Sequence, residues 1–431
     1  MSRLYILAAI GLIGFFFLIQ HFRHAPARPV TASAPATPAP MDDIAMEKTA
    51  LELQEKGDLA GAEPLFRQCL SIRERSIGPE HIDTLAAMNN LANLLNDRGQ
   101  FDEAEQIDRR CLELREKTLG PDHPHTLASL NNLALVLRAK ADYAGAEPLY
   151  RRAWDTMKRV SGENDPDTLS MLNNLANLLS DMGDYAGAEP LYRQLVDKLQ
   201  VKFGPDHPAT LSGEGNLANL LLRKGNYIAA GPVYQRCYET RVRVQGAEHP
   251  ETLLALGNLA TYYLESSNYA EADKAYRQCL ASRQKVLGPE HPDTLNTMDN
   301  LASALRKEGK LQEAETMARN CLAASERILG DSHPATCSSA STLADILRDK
   351  GDNDAAAALY ERALAGLRIT PGATHPTTLG VLYEYSNLRK NQRRLPDARR
   401  LGYELIAGAR RSLPKDHPER ARYERYVDSL R

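Results

Sequence analysis

This 431-residue sequence has few aromatic residues and lacks several common catalytic motifs. Aromatics make up 6% of the chain, and Trp154 is its one tryptophan. The sequence contains no glycine-rich phosphate loop, no HExxH motif and no G-x-S-x-G motif, and its carboxylates follow a repeat pattern instead of forming isolated pairs. These absences argue against an active site. We therefore predict no enzyme activity, no cofactor and no metal site.

The charge of the chain is close to balanced. A net charge of −3 argues against an overall attraction to nucleic acid, so we expect no nucleic-acid partner. The C-terminal end is the exception, because Arg389–Arg431 holds 13 Lys or Arg residues against 6 Asp or Glu residues. We interpret this basic end as a solvated terminal cap, with a contact for anionic headgroups or an acidic partner as the alternative.

The N-terminus carries the one long hydrophobic run. Leu4–Ile19 is uncharged and apolar, and the residues up to Phe22 bring it near the roughly 20 residues that a membrane-spanning helix needs. We expect residues 1–24 to be an N-terminal signal anchor, a single-pass transmembrane helix, with a cleaved secretory signal as the alternative. Residues 25–40 form an Ala/Pro-rich linker, which should be extended and semi-stiff. The expected location is the membrane, and the extracytoplasmic side is favoured for the rest of the chain.

An interval of 42 residues repeats along the chain from about Met41 to Pro418. His-Pro, or a close variant of this pair, recurs at this interval, and an Asn-Leu-Ala motif recurs in a second register. The first residue of each pair lies at 81, 123, 165, 207, 249, 291, 333, 375 and 417. Periods of this length are typical of stacked repeats. We expect about nine units over residues 41–418, followed by one C-terminal capping helix over residues 419–431.

Each unit reads as two helices joined by a turn. The proline of His-Pro suits a first helical turn, and the Asp, His and Thr residues around it can cap free N–H groups. Helix A then carries an apolar stripe and ends at a glycine such as Gly99, and helix B runs on to a second glycine such as Gly120. No unit can bury its apolar face alone, so the units should stack into a solenoid.

The cysteines and histidines also follow the repeat. Five of the six cysteines share one register of helix B, where neighbouring copies lie too far apart for a disulfide. These five are Cys69, Cys111, Cys237, Cys279 and Cys321. We interpret them, and Cys337 on a helix A, as small buried thiols. The histidines recur one per repeat at the loop between units, so they cannot converge on one ion, and we interpret them as helix caps.

Three segments of one unit resemble the tetratricopeptide repeat: Asn174–Ala176, Gly183–Tyr185 and Ala188–Tyr192. This resemblance covers about residues 41–418. It implies an all-α fold, a right-handed superhelix (α-solenoid) of about nine 42-residue helix-turn-helix repeats, preceded here by the transmembrane helix. It also implies a concave groove, lined by the A helices, that accepts an extended peptide from a partner protein.

The repeat length and two further segments are similar to one subgroup of this family, the kinesin light chains. These segments are the linker Leu119–Thr126 and the helix B segment Ala146–Ala153. Kinesin light chains also have a coiled coil that binds the heavy chain, and this sequence has no such heptad segment. Attachment to a motor is therefore not expected.

Asparagine recurs at one register in the middle of six consecutive A helices, although it is a poor helix-interior residue. This asparagine column consists of Asn90, Asn132, Asn174, Asn216, Asn258 and Asn300. A carboxamide has one acceptor and two donor hydrogens, so such a row could hold the backbone of an extended peptide. Further candidates one turn on are Asn93, Asn177 and Asn219. The alternative is that each asparagine bonds an adjacent helix and sets the repeat geometry.

Glycine precedes the asparagine column in two repeats, at Gly215 and Gly257, where the groove should be locally wider. We predict that a bulky side chain of the partner lies there. The predicted function is a membrane-tethered scaffold that binds a protein or peptide ligand in its groove without catalysis. The alternative is a structural or self-associating protein of the cell envelope that acts through its outer surface. The oligomeric state does not follow from the sequence.

Overall fold

The computed structural model describes residues 41–430. Nineteen α-helices make up this part of the chain, which contains no β-strand. The helices alternate between the first of a pair, called an A helix, and the second, called a B helix. The predicted all-α repeat fold is therefore confirmed over these residues. The predicted transmembrane segment (1–24) and linker (25–40) lie outside them, and no helix within residues 41–430 is long and apolar enough to span a bilayer.

Nine helix pairs lie within residues 41–430, and one further helix follows them. The A helices are α1 (Met41–Glu55), α3 (Ile82–Asp97), α5 (Pro124–Ala139), α7 (Pro166–Asp181), α9 (Pro208–Arg223), α11 (Pro250–Glu265), α13 (Pro292–Glu308), α15 (Pro334–Lys350) and α17 (Pro376–Asn391). The B helices are α2 (Leu59–Ser76), α4 (Phe101–Leu119), α6 (Tyr143–Ser161), α8 (Tyr185–Phe203), α10 (Tyr227–Gln245), α12 (Tyr269–Val286), α14 (Leu311–Leu329), α16 (Asn353–Leu367) and α18 (Leu395–Ser412). A π-helical turn (Arg368–Gly372) follows α16, and α19 (Pro418–Asp428) is the last helix.

Contacts divide the described chain into two compact units, residues 41–171 and 172–430, and the division falls inside α7. In the first unit, the helices from α1 to α6 pack in consecutive pairs, α1 on α2 and so on to α5 on α6. In the second unit, the helices α8 to α19 do the same. Within each unit these helices thus pack against their sequence neighbours, as in a solenoid, where stability is the sum of the repeats and the interfaces between them.

The histidine of each His-Pro pair caps the helix that follows it. In His249, for example, Nδ1 accepts the backbone N–H of Glu251 at 3.2 Å. The same bond is made by His81, His123, His207, His291, His333, His375 and His417. Where the histidine is replaced by Asp165, the carboxylate Oδ1 accepts the N–H of Asp167 at 2.9 Å. The predicted capping role is therefore confirmed, and it requires the imidazole to keep a free lone pair on Nδ1.

The loop that leads to each cap also has a fixed geometry. Gly120 has φ 90° and ψ 162°, a conformation that only glycine adopts readily. Its carbonyl oxygen accepts the hydroxyl of Thr126 at 2.8 Å, and Thr126 is fully buried. The same pairing recurs at Gly204 and Thr210 at 2.8 Å. The loop between repeats is therefore fixed by a threonine hydroxyl of the next A helix.

The cysteines of the B helices bond to the A helix of the same repeat. In Cys279, for example, Sγ donates to the carbonyl oxygen of Leu253 at 3.3 Å, across an interval of 26 residues. Cys69, Cys111, Cys237 and Cys321 make the same bond at the same interval. All six cysteines are free and buried, so the interpretation as buried thiols is confirmed. Burial raises the pKa of the Cys237 thiol to about 11.

The last helix returns to an earlier part of the second unit. His417 is 3% exposed, and its Nε2 lies 3.3 Å from the carbonyl oxygen of Asp181, 236 residues earlier. Since Nδ1 accepts the N–H of Glu419, the ring proton lies on Nε2 and is donated to Asp181. A Cβ atom at Gly183 would lie 2.7 Å from the His417 ring, so only glycine fits there.

The capping helix α19 begins at Pro418, one residue before its predicted start, because His417-Pro418 opens it as a His-Pro pair opens an A helix. It packs against α18 at Gly402, where a Cβ atom would lie 3.4 Å from Val427 Cγ2 of α19 and 2.9 Å from Leu430 Cδ1 just after it. Gly402 stands at the register where most other B helices carry a buried tyrosine. The missing tyrosine ring therefore makes room for the cap.

Each A helix is followed by a residue in the left-handed backbone conformation. Glycine provides it in six repeats, for example Gly225 with φ 76°. In three repeats another residue adopts it: Ala141 (φ 58°), Ser267 (φ 64°) and Arg393 (φ 60°). A side chain costs about 1 kcal/mol in this conformation, so these three turns are strained relative to the glycine turns.

We expect Ser267→Gly to stabilise the protein by about 0.5–1 kcal/mol, because it relieves the left-handed strain at an exposed turn. Gly225→Ala is the matched control, since position 225 is equivalent and a Cβ atom there meets nothing within 4 Å. It should destabilise by a similar amount. Urea unfolding followed by circular dichroism measures both, and a lower midpoint for Ser267→Gly would contradict the interpretation.

Candidate functional site

Consecutive A helices contact each other, whereas consecutive B helices lie farther apart. In the first unit α3 contacts α5, and in the second unit α9, α11, α13 and α15 each contact the next A helix. When one layer of a helical stack is closer together than the other, it lies on the inner side of the curve. The A helices therefore form the inner face within each unit, and the predicted asparagine sites lie on them.

In the first unit the asparagine column makes hydrogen bonds between adjacent A helices. Asn90 Nδ2 donates to Glu47 Oε1 on α1 at 2.7 Å. Asn132 Nδ2 on α5 likewise donates to Asn89 Oδ1 on α3. In both cases the acceptor lies 43 residues earlier, at the position directly before the column in the previous repeat. We call the set of such acceptor positions the acceptor column.

The second unit repeats this bond at two steps. Asn216 Nδ2 donates to Asn173 Oδ1 at 2.8 Å, and Thr342, which takes the column position in α15, donates to Asp299 Oδ2 at 3.0 Å. Asn174 is 7% exposed and belongs to the same face. These bonds show that the column has the structural role that was the alternative to peptide binding. They orient each carboxamide, and its binding role remains a prediction.

Two members of the column depart from the rule. Asn300, 9% exposed, donates to Asn296 Oδ1 of its own helix at 3.1 Å instead of to an adjacent helix. Asn258 is partly exposed on α11, and its side chain makes no hydrogen bond to any residue within 41–430. Both have a glycine at the acceptor position 43 residues earlier, Gly215 for Asn258 and Gly257 for Asn300.

The asparagines one turn further on bond to the B helix of their own repeat. Asn177 Oδ1 accepts the hydroxyl of Tyr192 at 2.5 Å, and Asn219 Oδ1 accepts the hydroxyl of Tyr234 at 2.5 Å. Both tyrosines are 2% exposed. These two asparagines therefore hold the two helices of a repeat together. Asn93, the third candidate of this set, is partly exposed and has no tyrosine opposite it.

Glu384 ends the asparagine column with a charge cluster. It stands at the column position in α17 and accepts a bond from Arg348 Nη1 at 2.8 Å. Arg348 also lies 3.2 Å from Asp345 Oδ1, and Arg306 pairs with Asp345 at 3.4 Å. Burial raises the pKa of Glu384, and the nearby Asp345 adds to this effect. The inner face thus changes from neutral amides to paired charges between α13 and α17.

A column of buried arginines was missed in the sequence analysis. Arg283, 4% exposed, donates through Nη1 to the carbonyl oxygen of Asp293 and to Thr297 Oγ1, both at 2.8 Å. Arg115 bonds in the same way to the His125 carbonyl oxygen at 3.0 Å. Each arginine thus joins a B helix to the first turn of the next A helix. Its recurrence at a fixed register of helix B was the available signal.

No group of three or more His, Cys, Asp or Glu side chains within residues 41–430 could hold a metal ion. The polar side chains of the inner face are bonded mainly to adjacent helices. The stacked helix pairs and their polar inner face place this chain in the class of helical repeat proteins, in which each repeat is two helices joined by a turn.

The chain belongs to the tetratricopeptide repeat family. One model of this repeat matches residues 50–117, 83–159, 209–285, 267–326 and 293–369, and a second matches residues 168–209. These matches cover more than half of the chain, and they confirm the family that the sequence motifs resembled. Tetratricopeptide repeats form scaffolds for protein–protein interaction. A search of curated proteins finds no match.

Several solved structures are similar to this chain. A putative kinesin light chain from Podosopora anserina, built of nearly identical TPR-like repeats, is 25% identical, and the match covers 47% of this chain and 95% of that one with a TM-score of 0.41. BtubC (BKLC) from P. vanneervenii is 21% identical over 54% of this chain and 91% of that one, with a TM-score of 0.41. A Rap protein in complex with competence and sporulation factor is 14% identical over 90% and 97%, with a TM-score of 0.47.

Asp108 replaces the tyrosine of the B helix opposite Asn93. The residue is 2% exposed, and its Oδ2 has no hydrogen-bond partner within residues 41–430. Burial raises the pKa of Asp108 to about 8, although the nearby Arg115 opposes this shift. The folded chain therefore holds this proton up to about pH 8, whereas an unfolded aspartic acid releases it near pH 4.

We expect the protein to lose stability as the pH rises from about 4 to about 8, by up to about 1.4 kcal/mol for each pH unit from Asp108 alone. Asp108→Asn keeps the shape and removes the titrating group. The difference in unfolding free energy between the wild type and this variant should therefore fall with pH and level off above the pKa of about 8. Urea unfolding of both proteins across this range measures it, and a difference that does not change with pH would refute a buried, protonated Asp108.

Proposed function

We propose that this protein is a membrane-tethered scaffold whose A helices bind an extended segment of a partner protein without catalysis. The observation that supports the proposal is the asparagine column on the inner face. Interhelical hydrogen bonds orient the carboxamides of Asn90, Asn132 and Asn216, and these side chains remain partly exposed. Oriented amides lose little conformational entropy when they bind a peptide backbone.

The chemistry of this face favours an uncharged, extended ligand. The column bonds use Nδ2 of each asparagine as the donor, which leaves Oδ1 as an acceptor for a backbone N–H. Bonds to a peptide backbone give affinity that depends little on the sequence of the ligand. Specificity would come from the residues around the column, which differ from repeat to repeat.

The first test uses one pair of alanine substitutions in each unit, Asn90/Asn132 and Asn174/Asn216. We expect each double variant to lose most of the partner proteins that the wild type captures from a native extract, because the oriented amides are gone. Quantitative mass spectrometry measures the recovery. Thermal unfolding by circular dichroism must show that each variant still folds, since its interhelical bonds are also removed.

The matched control lies on the outer face. Val201 on α8 is 90% exposed and Ile228 on α10 is 91% exposed, so the double variant Val201→Ala/Ile228→Ala should keep the partners. The opposite pattern, in which the outer-face variant loses them and the asparagine variants keep them, would favour the alternative of a structural or self-associating envelope protein.

The membrane tether is tested by deletion of residues 1–24. We expect the full-length protein to stay in the membrane pellet after an alkaline carbonate wash, because a hydrophobic anchor resists it, and the deletion variant to be released. Immunoblotting of pellet and supernatant measures the distribution. Release of the full-length protein would contradict the anchor, and retention of both proteins would point instead to the basic C-terminal end.

A further inference from the structure

The hydrogen bonds between A helices are interrupted in the middle of the second unit. Asn216 donates to Asn173, and Thr342 donates to Asp299, each across 43 residues. Between these two steps the acceptor column carries Gly215 and Gly257, which have no side chain to accept. The structure thus has a run of oriented amides with two consecutive acceptors missing.

The missing acceptor leaves Asn258 without a bond. Asn300 compensates by donating to Asn296, but the carboxamide of Asn258 has no partner within residues 41–430. A Cβ atom placed on Gly215 would meet nothing within 4 Å, and one placed on Gly257 would meet only Cys279 Sγ at 3.9 Å. The acceptor position for Asn258 is therefore open, whereas other repeats hold an asparagine or an acidic side chain there.

Packing within the chain does not require these glycines. Glycine is unfavourable in a helix interior, where it is usually explained by a close approach of another backbone or by a positive φ. Neither applies here, because the space around both positions is open and neither has a positive φ. Gly215 instead leaves room beside the carboxamide of Asn258, which has no acceptor within residues 41–430.

We propose that the gap at Gly215 is a subsite for a side-chain carboxamide, Asn or Gln, of the bound segment. The ligand carboxamide takes the place of the side chain that position 215 lacks, and its oxygen accepts the Nδ2–H of Asn258. This inference rests on the proposed function, since it names what the inner face of α9 and α11 recognises. It also refines the sequence prediction of a bulky side chain at the glycines, because it commits to a hydrogen-bonding group.

One substitution at the gap and one control elsewhere test the proposal. Gly215→Asn supplies the missing carboxamide from within the chain, so it should raise the thermal midpoint and block the subsite. Val201→Ala on α8 is the control, because this side chain is 90% exposed and lies outside the asparagine column. The probe is a phage-displayed library of linear dodecapeptides, depleted on the Gly215→Asn variant and then selected on the full-length wild-type protein.

We expect the selected peptides to share an Asn or Gln, and a synthetic peptide of this set to bind Gly215→Asn at least about tenfold more weakly than the wild type. Its affinity for Val201→Ala should stay within about twofold of the wild type. Replacement of the peptide's Asn or Gln by Leu should weaken binding to the wild type in the same way as Gly215→Asn does.

Several results would overturn the inference. These are selection without enrichment of Asn or Gln, equal binding of the peptide to the wild type and to Gly215→Asn, and unchanged binding after its Asn or Gln is replaced. The variant Asn174→Ala/Asn216→Ala separates the two claims. If it abolishes peptide binding while Gly215→Asn does not, the inner face binds peptides but the gap is not the subsite. If neither variant affects binding, the proposed function fails as well.

Discussion

The interval of 42 residues is the constraint on which the rest of this structure depends. Three sets of side chains bond across fixed sequence distances: the cysteine of helix B to a carbonyl 26 residues earlier, the buried arginine to a carbonyl 10 residues later, and the asparagine column to a residue 43 positions earlier. One inserted residue would change the spacing of the asparagine bond and, depending on its place, that of the cysteine or the arginine bond as well. Since no helix pair buries its apolar stripe alone, these bonds and the stacking depend on each other.

The repeats were predictable because each column carries one chemical role. The eight histidine caps followed from a residue type at a helix start, and the buried thiols from one register of helix B. The bond between His417 and Asp181 was not predictable, since it joins residues 236 apart and depends on the accumulated curvature of many repeats. The buried arginines were overlooked because an arginine in an amphipathic helix ordinarily suggests a solvated face, whereas Arg283 is 4% exposed.

The candidate site was likewise predictable only in part. Its register on the A helices followed from the sequence, but the direction of each bond did not. Asn177 and Asn219 were predicted to face a ligand, and they accept bonds from buried tyrosines of helix B. The asparagine column serves the fold in most repeats. Its members differ in which hydrogen-bonding atoms stay available to a ligand. This difference depends on the residue 43 positions earlier, and the sequence alone does not show that this residue is a neighbour.

The buried thiols have a consequence for the study of this chain in solution. Cys69 and the equivalent cysteines are buried, and burial raises the pKa of Cys69 to about 11, so these thiols should react slowly with an alkylating reagent while their repeats stay closed. A repeat that opens would expose the thiol that it carries. Mass spectrometry of time-dependent alkylation would therefore read local opening at separate points along the solenoid, with native residues as the labels and no engineered probe.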